Sequence, residues 1–184
     1  GPVLYYTLMR ATEILKEEHK AIELMLAVLE KIAQRLEKGE EVDSQHLQRI
    51  LEFIKVFADR CHHGKEEDLL FPAMEKAGIP KEGGPIGMML ADHDMGRGYV
   101  GGMRENLGNP AKFAENARNY IAVLKDHIPK ENDILYPMAE MHLSEKTQKE
   151  LPGEFEKIEN ERIGPGKHEE FHRLLKNLQK VYLK

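Results

Sequence analysis

The sequence has no tryptophan, and its six phenylalanines and six tyrosines make it only 7% aromatic, too little to fill the interior of a β-sandwich or barrel. One cysteine, Cys61, excludes an internal disulfide and fits a reducing compartment. Basic runs are missing and the net charge is −5, which argues against nucleic acid or an anionic membrane surface as a partner. Apolar stretches are broken by Glu, Lys or Gly well short of the roughly 18 residues of a membrane span, and no charged-then-apolar leader opens the chain. The expectation is a cytoplasmic protein acting on small molecules. Gly1-Pro2 reads as a cleavage scar from expression, and no function is assigned to it.

What is present is helical material. Charged residues make up 32% and hydrophobic ones 41% of 184 residues, a balance suited to solvated amphipathic helices in one domain. Residues 7–38 carry apolar side chains at helical spacing and meet a stop at Gly39. Asp43 and Ser44 cap a second helix, which Pro72 should kink or end near Phe71. A loop at 78–85 leads to a third segment, 86–107, whose glycines at 87, 96, 98, 101 and 102 each cost nearly 1 kcal/mol relative to alanine unless close helix packing offsets them. Asn109-Pro110 starts a fourth helix that runs to about Met141. Ser144 caps a further piece at 144–163, and Gly164-Pro165-Gly166 separates it from a last helix at 167–183. The fold class is all-α: an up-down four-helix bundle over about 7–141 with a C-terminal helical extension over about 144–184.

One pattern is written twice. Residues 62–72 read HHGKEEDLLFP and residues 127–137 read HIPKENDILYP, so His62 aligns with His127, Glu66 with Glu131, Phe71 with Tyr136 and Pro72 with Pro137. His and Glu four apart share one helix face and can reach the same ion or adjacent ions. His63 and Glu67 fall one place out of step and are assigned to an outer or solvated position. Antiparallel neighbours put residues at equal height when they are equally far from the turn. By that count His19, His62 with Glu66, His93, and His127 with Glu131 agree to roughly 2 to 5 Å along the bundle. Four imidazoles and two carboxylates with no thiolate suit iron first, then manganese or zinc, and are natural for two ions bridged by the carboxylates. Leu15, Ile22, Leu69, Met89, Leu90 and Ile134 are expected to keep the pocket dry.

Together with the EEH of 17–19 and the ADH of 91–93, these motifs resemble the hemerythrin-like, HHE cation-binding domain family through about Met141. The resemblance implies an up-down bundle around a non-haem di-iron centre, with His19, His62, Glu66, His93, His127 and Glu131 as ligands of two iron ions. It also implies dioxygen, nitric oxide or peroxide as the small ligand, with an electron donor that the sequence does not name. Oxygen-carrying members place a second His four residues after the third-helix ligand, where this chain has Arg97. The pattern is thus closer to bacterial di-iron proteins linked to nitric oxide, peroxide and iron–sulfur repair. His168, at the start of the last helix, is the candidate for the ligand missing at Arg97. The HEEFH of 168–172 matches the zinc-protease pattern but has no further ligand nearby. Cys61 is expected to be an inert packed thiol, and Tyr5, Tyr6, Tyr99 and Tyr120 core or rim residues. Three readings stand: a reductase of nitric oxide or peroxide; a module that senses, stores or carries oxygen or iron without turnover; and a structural zinc bundle.

Overall fold

The computed structural model describes residues 8–184, all helix and connecting loop with no strand among them. Tyr5, Tyr6 and Thr7 lie outside the described residues. Helix α1 spans Ala11–Glu37, opened by Arg10, whose backbone N–H donates to the Glu13 carboxylate at 3.2 Å, and stopped at Gly39, which sits at φ 75°. Asp43 caps α2 (Ser44–Phe53) by accepting from the Gln45 N–H at 2.9 Å.

The second helix then departs from expectation. It does not end near Phe71 but continues without a break through π-helical turns π1 (Ile54–His63) and π2 (Glu66–Leu70) into α3 (Phe71–Lys76). The fourth helix repeats this: α5 (Pro110–Lys130), after α4 (Pro85–Glu105), passes through π3 (Glu131–Leu135) into α6 (Tyr136–His142). In both copies the residue before the proline donates five places back, Phe71 to Glu66 and Tyr136 to Glu131. The wider turn gives the proline ring room against the preceding carbonyls, so Pro72 and Pro137 sit inside continuous helices.

Helix α7 (Glu145–Arg162) is capped by Ser144, and α8 (Lys167–Tyr182) follows Gly166 at φ 80°. The extension is part of the packing: Leu151 and Phe155 of α7, and Phe171, Leu175 and Leu178 of α8, are buried in the core. No described helix is long and apolar enough to cross a membrane.

The apolar interior falls into two clusters. One holds Ala11, Ile14 and Leu15 of α1 with Leu70, Phe71, Met74, Ile86, Met89, Leu135 and Tyr136. The other begins at Ala21 on α1 and includes Phe53, Phe57, Met103, Tyr120, Leu124 and Ile128. Between them each long helix contributes buried polar residues: Glu18 and His19; His62, His63, Lys65 and Glu66; His93; and His127 with Glu131. Of the expected shielding residues, Leu15, Ile22 and Met89 are buried and Leu69 and Leu90 partly so, but Ile134 is 56% exposed. Its neighbour Leu135 takes the inward position.

Candidate metal centre

Six of the seven residues proposed from the sequence meet in this polar layer. Glu131 Oε1 lies 2.9 Å from His127 Nε2 and 3.1 Å from His19 Nε2. Glu66 Oε1 lies 3.4 Å from His93 Nε2 and 3.6 Å from His62 Nε2. His93 Nε2 and His127 Nε2 face each other at 3.2 Å. All six are at most 1% exposed. Among the described residues the only buried side-chain atoms without a hydrogen-bond partner are His62 Nε2, Glu66 Oε1 and Glu131 Oε2. Leaving such atoms unmatched costs about 1–3 kcal/mol each, so lone pairs converging this way fit a bound cation.

The donors sort into two groups, each with ligand atoms within 4.8 Å of one another: His63, Glu66, His93 and His127, and His19, His62 and Glu131. His63 therefore belongs to the layer, which the sequence reading did not foresee. Its ring stacks on His93 at 3.8 Å between centroids. A regular helix turns 100° per residue and would carry His63 away from His62; a π-helical turn advances roughly 80° and keeps both inside.

A ring of outer supports orients the imidazoles. Glu18 Oε1 lies 3.0 Å from His62 Nδ1, Glu67 Oε2 2.7 Å from His93 Nδ1, Asp92 Oδ2 3.0 Å from His127 Nδ1, and Asn132 Oδ1 2.7 Å from His19 Nδ1. Each support is the sequence neighbour of one inner residue but serves the inner residue of a different helix, so the supports close a circuit around the bundle. With Nδ1 held outward, each Nε2 points to the centre. The signal was present in the sequence as a polar residue beside every candidate donor.

Burial and then Glu131 push the Glu66 carboxyl well above the usual carboxylate range, so it keeps a proton. Burial would raise Glu131 as well, but hydrogen bonds from Glu66, His127 and His19 hold it well below that range. Burial lowers His62 to about 4. Burial would also lower His93, yet its bonds to Glu66 and Glu67 raise it to about 10. A proton on Glu66 and a charge on His93 thus neutralise the layer, and an entering cation displaces both.

Tyr136 also reaches the layer, although the sequence pattern alone marks no functional role for it. Its hydroxyl donates to Glu66 Oε2 at 3.0 Å and lies 3.3 Å from His19 Nε2. The only sign of it was the change from Phe71 to Tyr136 between the two copies. Tyr120 is buried and Tyr99 packs against the core.

His168 is not brought to the layer. Its Nδ1 meets Glu159 Oε1 at 2.8 Å and its ring lies against Phe57. Arg97 donates to Asp59 at 2.9 Å and Glu67 at 2.7 Å, and Asp59 in turn holds His63 Nδ1 at 3.2 Å. Glu18, Cys61 and Glu159 form a further buried group, but the Lys65 ammonium, 2.5 Å from Glu18 and 3.8 Å from Glu159, already occupies it as the partner of both carboxylates. Burial pushes the Cys61 thiol far up, consistent with an inert packing role.

The family model for the hemerythrin HHE cation binding domain matches residues 10–139. An uncharacterized protein of Mycobacterium bovis and uncharacterized proteins of two Mycobacterium tuberculosis strains are each 24% identical over 162 residues, covering 84% of this chain and 63% of their own length. The chain thus spans less than two thirds of the curated relatives it matches. No solved structure matches it.

Proposed function

We propose a non-haem di-iron centre that binds or reduces a small ligand for this chain, which belongs to the hemerythrin HHE cation-binding domain family. Metal binding itself follows from the family and from the two buried His/Glu groups. One observation carries the two-ion reading: each carboxylate reaches an imidazole of both groups, Glu131 between His127 and His19, and Glu66 between His93 and His62. His63, His93 and His127 would hold one ion, His19 and His62 the other, with Glu66 and Glu131 between them. The absence of thiolate from these donors favours iron over a softer or purely structural ion.

Two ferrous ions, if bound, would supply two electrons to dioxygen, peroxide or a pair of nitric oxide molecules. The chain's own part is to hold the imidazoles in one tautomer through the outer ring, and to exclude bulk water with the flanking apolar clusters. Tyr136 stands where it can keep or pass a proton at Glu66.

The test is metal analysis of protein grown with iron, followed by anaerobic optical titration with dioxygen, nitric oxide and peroxide in turn. Two irons per chain are expected. A stable reversible oxygen band would assign binding without turnover, and rapid consumption of nitric oxide or peroxide would assign the enzyme. Stoichiometric zinc with no optical response would refute the di-iron reading. His127→Ala should lose most bound iron while keeping its helical circular dichroism; full retention would refute the assigned donors.

A further inference from the structure

A cavity of about 220 Å³ lies between π1 and α4, with the stacked rings of His63 and His93 in its wall. Ile54, Val100 and Tyr120 supply apolar sides. Two of the α4 glycines line it, and neither is explained by helix packing. A Cβ on Gly101 would meet nothing within 4 Å, and one on Gly96 would make ordinary contacts with Tyr120 at 3.7 Å and Leu124 at 3.8 Å. Close approach in this segment occurs instead at Gly102, where a Cβ would collide with the Asn116 side chain, and at Gly87, where it would collide with the Lys81 carbonyl. Glycine in a helix is destabilising relative to alanine, so bare backbone at Gly96 and Gly101 keeps space that packing does not require.

The charge around this cavity runs against the chain as a whole. Lys55, Arg60, Arg97 and Arg104 line it with the single carboxylate Asp59, although the net charge of the protein is −5. Arg97 is committed to Asp59, Glu67 and Asp94. Lys55, Arg60 and Arg104 are exposed and make no ion pair among the described residues. Three unmatched cations around an apolar recess form a binding surface for an anion with a hydrophobic body.

We propose that this cavity binds a small organic carboxylate with an apolar body the size of one aromatic ring. A dry cavity of about 150 Å³ admits benzene, so this volume holds such a ring with its carboxylate at the cationic rim. Seated there, the ligand covers the solvent side of His63 and His93 and controls what reaches the metal layer from that direction. The inference rests on the cavity and its rim, and does not depend on which ion the centre holds.

Benzoate is the probe, with benzamide as its uncharged counterpart, titrated calorimetrically into the purified chain before and after chelation. The expected result is saturable binding of one benzoate per chain in both preparations, with benzamide at least tenfold weaker. Gly101→Leu, which fills the recess and favours the helix, should weaken binding at least tenfold while circular dichroism is unchanged. Arg104→Ala should weaken it about threefold, the size of an exposed charge contact. No saturable benzoate binding would overturn the proposal. So would binding that is equal in Gly101→Leu, equal for benzamide, or lost on chelation, the last placing the carboxylate on the ion instead. Metal content measured on the same samples separates this outcome from a failure of the di-iron reading.

Discussion

Tyr136 and His63 mark the two positions where the duplicated pattern gains a polar atom that its other copy lacks, against Phe71 and Ile128. Both additions face the metal layer. Tyr136→Phe removes a donor from the buried Glu66 carboxyl and should destabilise the metal-stripped chain by about 1–3 kcal/mol in urea titrations, with helix content unchanged. His63→Ala should lower bound iron markedly while His168→Ala leaves it at the wild-type level, because His63 stacks at 3.8 Å on His93 whereas His168 is held by Glu159. Equal iron loss in both would contradict that assignment. The convergence of six side chains was legible in the sequence because repetition selects His62, Glu66, His127 and Glu131, and equal height along the helices adds His19 and His93. Their supports were not, since Glu18, Glu67, Asp92 and Asn132 each act across a helix boundary on a partner that sequence proximity does not indicate.

At the scale of the element, helix existence, capping by Asp43, Asn109 and Ser144, and the stop at Gly39 follow from local chemistry and were readable. The π-helical turns were not, because α-helical spacing arguments assume one winding throughout. The placement of π2 and π3 just ahead of Pro72 and Pro137 gives those two turns a cause, and their effect is to set the aim of Glu66 and Glu131. Pro137→Ala restores an N–H and removes the ring that favours the wide turn. The expected outcome is a chain of equal or greater helicity by circular dichroism whose iron content falls, as Glu131 rotates from the shared position between His19 and His127. Unchanged iron stoichiometry and affinity would show that the turn is set by other contacts.

For the whole molecule, the buried layer ties stability to pH. His62 is held at about 4 against an ordinary 6.5, so the unfolded chain takes up this proton first; its contribution is complete above pH 6.5 and lost as pH falls toward 4. Glu18, where burial is outweighed by Lys65 and His62, is held at about 2 against 4.5, and its contribution is lost between those values. His93 has the opposite sign. Raised to about 10, it stabilises fully below pH 6.5 and loses that contribution as pH rises through 10. Thermal melts of the metal-stripped chain should therefore peak near pH 6.5 and fall on both sides, and loading with metal should remove the alkaline decline because a coordinated His93 is already deprotonated. An alkaline decline of the same size in loaded and stripped protein would contradict this.

The near-symmetry of the bundle has a consequence of its own. Glu18 serves His62 as Asp92 serves His127, and Glu67 serves His93 as Asn132 serves His19, so the chain folds as two equivalent helical hairpins facing each other across the centre. His63 breaks that equivalence by giving one seat three imidazoles while the other keeps two. Two identical seats would fill with a single affinity. On the two-ion reading proposed above, unequal seats are expected to fill in order, the three-imidazole seat first, so that a chain short of metal would rest at a defined half-loaded stage in place of a random mixture; a metal titration with a single transition would contradict this.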